Sequence, residues 1–302
     1  MRLPTDLRVV FAASLISTLV LTSGCVDIVG ADIGRYVERD EKHFTTTGKP
    51  QVDLSTFDGS IEVRPWDKPE VQVIIEKRAS TKETAETIEV LTNQTGDRIT
   101  VEVKTQRVQG FNFHFNLSKS AKLIVSLPAS SDLIAKSGDG SIDVERVTGH
   151  VELRSGDGSI RARELGGDLT AHTGDGSIKV EGVKGALNVD TGDGSINVSG
   201  KLSSVRARTG DGSVTIHADA GSAASGDWDI TTGDGSVTLE FPADFGADID
   251  AHTGDGGIRM HDVTLSDVTG RIARNSVKGK LGQGGRAVRV RTGDGSITLR
   301  RN

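Results

Sequence analysis

Eight aspartates recur in a hexapeptide of the form Ser/Thr-Gly-Asp-Gly-Ser-Ile/Val or a close variant: Asp139, Asp157, Asp175, Asp193, Asp211, Asp234, Asp255 and Asp294. Equivalent residues of stacked repeats fall in a column, so these carboxylates should line one corner of the fold. A column of carboxylates can be structural, each Asp closing its own turn through side-chain-to-backbone hydrogen bonds and pointing to water. Solvated charges about 5 Å apart repel by roughly 1 kcal/mol or less, which a fold tolerates.

Two chemical readings compete with that one. Stacked Gly-Asp turns resemble the calcium-binding nonapeptide β-roll, but that repeat needs Gly-Gly-x-Gly-x-Asp in every nine residues, and the second half of each unit here lacks it. Calcium takes six to eight oxygens, more than one Asp per coil supplies. The other reading is a carboxylate-lined groove like those of β-helical polysaccharide hydrolases or lyases. Such enzymes break their repeat to build a site, whereas this repeat stays monotonous where the acids lie.

His150, His172, His217, His252 and His261 occur at differing positions of the repeat. His172 and His252 precede the Thr-Gly-Asp turn equivalently, which predicts outward, solvated rings. No Gly-x-Ser-x-Gly, His-Glu-x-x-His or phosphate loop occurs, and eight equivalent copies of Gly-Asp-Gly-Ser argue for a turn rather than a serine nucleophile. The sequence therefore assigns no catalytic residue, metal ligand or cofactor. Acyltransferase helices also use 18 residues per coil, with an aliphatic every six; Ile178, Lys184 and Asp190 fail that test.

The remaining reactive group is the single cysteine. Arg2 and Arg8 precede an apolar run from Val9 to Leu21, too short for a membrane span of about 20 residues and followed by Thr22-Ser23-Gly24-Cys25. This segment resembles the lipobox of bacterial lipoproteins, with Thr22 where those proteins usually carry Leu. The resemblance implies cleavage after Gly24 and a lipid on Cys25. Several acyl chains anchor stably where one does not. Val26, in place of the Asp that holds such proteins at the inner membrane, implies the outer membrane.

The elements that position these residues follow from the spacing. The first glycines of the hexapeptide, Gly138, Gly156, Gly174, Gly192 and Gly210, are 18 residues apart; Gly233, Gly254 and Gly293 follow after 23, 21 and 39. Such regularity is a repeat architecture. Within a unit, Ser177-Ile-Lys-Val180 and Ala186-Leu-Asn-Val-Asp190 alternate polar and apolar residues with the period of a half-buried strand. Two short strands cannot bury their apolar face alone, but coils stacked about 4.8 Å apart can. The expected fold is an all-β solenoid with aliphatic ladders inside and charged ladders outside, its Gly-Asp-Gly corners supplying backbone angles that side-chain-bearing residues resist.

The 39-residue gap is expected to hide a worn coil, since Val268-Thr-Gly-Arg-Ile272 echoes Val147-Thr-Gly-His-Val151 and Asn275-Ser-Val277 stands where Gly-Ser-Ile belongs. Further degenerate copies are expected at Thr56–Ile61 and Thr95–Ile99. Residues 40–128 are less regular. Strands are expected at 71–76, 98–104 and 122–127, and a capping box at Ser80-Thr-Lys-Glu83 opens a helix through about Leu91. Phe111, Phe113, Phe115 and Leu117 should share a strand face, as core of an amino-terminal cap or as an apolar edge for a partner.

Composition agrees with a thin core. The 302 residues include 38 glycines, six prolines and 4% aromatics, excluding collagen, which needs glycine at every third position. The net charge of −6, −7 without residues 1–24, offers no basic face for nucleic acid. One cysteine permits no internal disulfide.

Ile124-Val-Ser-Leu-Pro128, then Asp132-Leu133 and serial Gly-Asp-Gly-Ser-Ile, resemble the bacterial putative-adhesin domain family of the toast-rack group over about residues 45–300. That resemblance implies a β-solenoid on exported or envelope-anchored proteins and brings no catalytic residues. The expected organisation is a signal peptide (1–24), a linker (25–44), a β-rich α+β cap with one short helix (45–130) and the repeat solenoid (131–302). The expected function is non-enzymatic adhesion, scaffolding or envelope sensing. Its partners would be the membrane, through the lipid on Cys25, and a surface polymer or envelope protein. A polysaccharide-binding or polysaccharide-processing β-helix and a calcium-binding β-roll stand as alternatives.

Overall fold

The computed structural model describes residues 36–105, 118–268 and 274–301. The Phe111, Phe113, Phe115 and Leu117 ladder, the signal segment with Cys25, and the Thr269–Ile272 echo lie outside them. Among the described residues no helix is long and apolar enough to cross a membrane.

The chain forms a β-solenoid in which each coil contributes one strand to each of two parallel ladders. Val151–Ser155 lies between Asp132–Ser137 and Leu169–Thr173, and after the Gly-Asp-Gly corner Ile160–Arg163 lies between Ile142–Glu145 and the start of Ile178–Thr191. Register is strict: Ile61, Ile142, Ile160, Ile178, Ile196 and Val214 form one inward column, and Leu133, Val151, Leu169, Leu187 and Val205 another. These residues are 3% exposed or less. Alternation of side chains across each strand sends their neighbours to solvent.

Coil order in space departs from chain order at both ends. The strand Gln51–Thr56 is sandwiched between Arg98–Thr105 and Asp132–Ser137, and Ile61–Trp66 between Lys119–Pro128 and Ile142–Glu145. Gln51–Trp66 is therefore a full coil of the stack, Arg98–Thr105 and Lys119–Pro128 extend its two ladders outward, and one continuous sheet runs across residue 130. At the other end Ala287–Thr292 and Ile297–Arg301 insert between the coil of Trp228–Thr232 and Val237–Phe241 and that of Ala247–Thr253 and Ile258–His261.

That insertion corrects the reading of the 39-residue gap. Ile297 stacks directly on Ile258. The supposed worn coil, Ser276–Leu281, runs antiparallel on Ala247–Thr253, placing Val277 against Ala251, and Leu265–Ser266 adds outside it. These strands cover a ladder end that would otherwise offer unpaired backbone groups. The other end is covered likewise: Ile88–Thr95 pairs antiparallel with Arg98–Thr105, Glu70–Ala79 with Lys119–Pro128, and Tyr36–Thr45 with Glu70–Ala79.

Two further expectations give way to these caps. The helix is only Lys82–Glu86, its first turn capped by Thr81, whose hydroxyl accepts the Thr84 N–H at 3.2 Å. Ile88 onward instead pairs along Arg98–Thr105, because eight residues of ladder outweigh one more helical turn. Thr95-Gly96-Asp97-Arg98 is the tight turn of that hairpin, with Gly96 at φ +59°, rather than a degenerate coil corner.

The coil corner is held by a column the sequence reading overlooked. The residue before each Gly-Asp-Gly, among them Ser137, Ser155, Thr173, Thr191, Thr209 and Thr232, is buried with its hydroxyl inside the stack. Each donates to the second glycine's carbonyl one coil away: Ser155 to Gly140 at 2.9 Å, Thr173 to Gly158 and Thr191 to Gly176 at 2.8 Å, and Thr232 to Gly212 at 2.7 Å. Several also accept from their own turn, as Ser155 Oγ does from the Gly158 N–H at 3.1 Å.

The corner glycines serve close approach. None of the sixteen in the eight copies has φ in the left-handed range, which corrects the expectation of special backbone angles. A Cβ on Gly176 would meet the Gly158 carbonyl and lie 2.8 Å from the Ser159 nitrogen. Replacing Thr191 by Val should cost about 1–3 kcal/mol in urea denaturation, because the Gly176 carbonyl loses its donor, and Gly176→Ala should cost more. A neutral Thr191→Val would remove the hydroxyl column from what holds the coils.

Candidate functional site

The eight corner aspartates are all exposed. Their carboxylates make no hydrogen bond to other described residues, so the turn-closing role expected of them belongs to the Ser/Thr hydroxyls. Among the described residues no group of three or more His, Cys, Asp or Glu side chains is placed to hold a metal ion. The histidines are likewise scattered: His150, His172, His252 and His261 are exposed, His172 pairs with Asp190 at 3.0 Å, and His217 with Glu240 at 2.7 Å. The geometry brings none of these sequence candidates into a shared acid–base site.

Two other aspartates do structural work at the opposite corner. Asp132 Oδ1 accepts the His150 N–H at 2.8 Å, and Asp168 Oδ1 the Ala186 N–H at 2.9 Å, each 18 residues on. Asp132 also receives Lys49 Nζ at 2.6 Å. The Lys49 ammonium and then the His150 N–H hold its carboxyl below the usual Asp range. Only an 18-residue offset between an Asp and a backbone N–H could have pointed to this pair of contacts.

The outer face of the second ladder carries the largest charged cluster. Arg64 and Arg163 both bridge Asp143 and Glu145 at 3.0–3.2 Å across adjacent coils. Lys179 pairs with Glu181 at 2.8 Å and Lys122 with Glu62 at 2.7 Å; the Lys179 contact holds the Glu181 carboxyl below its ordinary range. Beside this cluster runs an open groove of about 390 Å³, parallel to the coil stack, with Ser60, Ser141, Ser159 and Ser177 along it. Glu62, Asp143, Arg161, Lys179 and Asn197 also line it, together with the inward Ile61, Ile142 and Ile160. The sequence alone singles out neither the serine column nor the groove, because each serine reads as part of its turn motif.

Residues 50–300 match the family described as Toastrack DUF4097. The chain belongs to that family. Solved structures similar to this Toastrack chain share little sequence. A putative adhesin from Bacteroides fragilis has 13% identity and a TM-score of 0.47, with 86% of this chain and 96% of that one covered. A putative lipid binding protein from Parabacteroides distasonis has 12% identity and a TM-score of 0.42 over the same shares. A putative cell adhesion protein from Clostridium sporogenes has 15% identity, a TM-score of 0.29, and 88% and 100% coverage. Among curated proteins nothing matches.

Two outcomes test these assignments. Asp132→Asn should lower the melting temperature at neutral pH. Since the folded-state pKa is depressed, the stabilisation is present above the unfolded value of about 3.9 and is lost as pH falls through the lower folded-state value; the gap between variant and wild type should close there. Conversely, the double variant Asp175→Asn/Asp193→Asn should stay within about 0.5 kcal/mol of wild type in urea denaturation. Its stability should not respond to calcium differently from the wild type's.

Proposed function

We propose that this chain is a non-enzymatic, lipid-anchored β-solenoid that is displayed on the cell envelope for adhesion or scaffolding. The observation that carries the reading is the register kept along both ladders of the stack, with shifts between Glu181 and Ala186 where one coil passes from one ladder to the other: ten coils among the described residues present equivalent ladder positions to solvent, about 45 Å end to end at one coil per 4.8 Å. An extended, repetitive surface suits a partner with its own repeat. Several charged groups on it pair across coils, among them Arg64 and Arg163 with Asp143, Arg208 with Asp229 and Arg291 with Asp250, which supports an architectural role for those groups.

Anchoring rests on Cys25 at the end of the apolar run, with Arg2 and Arg8 before it. The sequence supports export and acylation there, and Val26 supports passage to the outer membrane in a two-membrane envelope. Ten residues, 26–35, separate Cys25 from the strand Tyr36–Thr45, which already belongs to the cap rather than to a linker running to residue 44. Replacing Cys25 by Ser in cells should move the protein from the membrane pellet to the soluble fraction. Unchanged membrane fractionation would overturn the anchoring.

A further inference from the structure

We infer that the serine-lined groove on the second ladder binds an extended, uncharged polysaccharide chain lying along the coil axis. This rests on the reading of the protein as a display scaffold and names the class of polymer the scaffold holds. Two hydroxyl columns lie four residues apart in each of these coils and differ in how their hydroxyls are used. In the inner column, Ser137, Ser155 and Thr173 spend their hydroxyls on glycine carbonyls of the neighbouring coil. In the outer column, Ser60, Ser141, Ser159 and Ser177 line the groove, and their hydroxyls bond to no other described residue.

These four serines stand on four successive coils, and Asn197 adds a fifth. Hydroxyls therefore repeat about every 4.8 Å along the groove, close to the axial length of a sugar ring in an extended glycan. Each hydroxyl both donates and accepts, matching a chain whose own groups are hydroxyls.

Charge selects among polymers. Glu62 and Asp143 balance Arg161 and Lys179 within the lining, and Asp143 already receives Arg64 and Arg163. The groove therefore presents no excess of either sign to attract an acidic or phosphorylated chain. A peptide strand is disfavoured too. The backbone N–H and C=O groups of these coils are consumed by the ladder, leaving no edge for strand addition. What remains for a ligand is a periodic row of hydroxyls flanked by fixed donors and acceptors at Lys179, Asp143 and Asn197.

The test is affinity electrophoresis of the whole chain without its signal segment, in native gels containing galactomannan, hydroxyethylcellulose or alginate. At least one of the two neutral polymers should retard the protein and alginate should not, with the retardation persisting in high salt. Ser159→Tyr and Ser177→Tyr, which fill the groove from exposed positions, should weaken binding about tenfold or more; Lys179→Ala should weaken it less. Thr170→Tyr, on the outer face of the first ladder, should bind as wild type. Melting temperatures establish that each variant is folded. The inference is overturned if neither neutral polymer retards the chain, if only alginate does so in a salt-sensitive way, or if folded Tyr variants bind normally. Membrane retention through Cys25 is measured separately, so loss of the groove and loss of the anchor are distinguishable.

Discussion

The fold depends on how closely one coil's corner backbone can approach the next. At that corner a buried Ser or Thr hydroxyl reaches the glycine carbonyl of the neighbouring coil, and a Cβ on either glycine would occupy the space this contact needs. A buried carbonyl without a donor is costly, so hydroxyl and glycine are required together. That pairing recurs from coil to coil, also where the corners are 23 residues apart at Gly210 and Gly233, and keeps the aliphatic columns in register. The thin core follows. Two facing ladders leave room for Ile, Val, Leu and Ala. The aromatic trio of Trp228, Phe241 and Phe245 enters only near the carboxy-terminal end, with neighbouring ring centres 4.9 and 5.1 Å apart.

A stack held by identical contacts has no intrinsic end, and both ends show how this chain stops. Antiparallel strands cover the outer coils, Ile88–Thr95 and Glu70–Ala79 at one end and Ser276–Leu281 at the other. At each end the chain also places one coil out of sequence, so the first and last coils in space are closed by neighbours distant in sequence. Antiparallel pairing breaks the parallel template, an arrangement that suppresses end-to-end growth.

The surface divides into parts with different physical uses. Asp132 and Asp168 tie adjacent coils through backbone N–H groups, whereas the more conspicuous corner aspartates face water. On the second ladder, Arg64, Asp143, Glu145 and Arg163 interlock, worth little each in solvent but together giving a balanced wall beside a row of unused hydroxyls. That juxtaposition distinguishes the groove from the rest of a repetitive exterior.

The sequence by itself determined the coil length, the two strands per coil, the inward aliphatics and the family, because period-two alternation and an 18-residue recurrence are local signals that stacking merely reads out. It also marked Cys25, although that residue lies outside the described structure. Other features were decided only in three dimensions. The Val268–Val277 segment resembles a coil in sequence yet Ser276–Leu281 caps one, since strand direction depends on which edge is free when the segment arrives. Ile88–Leu91 carries helical spacing yet joins a strand because Arg98–Thr105 offers it an edge. The same Gly-Asp-Gly-Ser motif contains an aspartate with no hydrogen-bond partner among the described residues and, in three copies, a serine facing the groove, and it stands next to a buried hydroxyl. Which of the three bears the load depends on distances between coils, and no spacing along one chain encodes those distances.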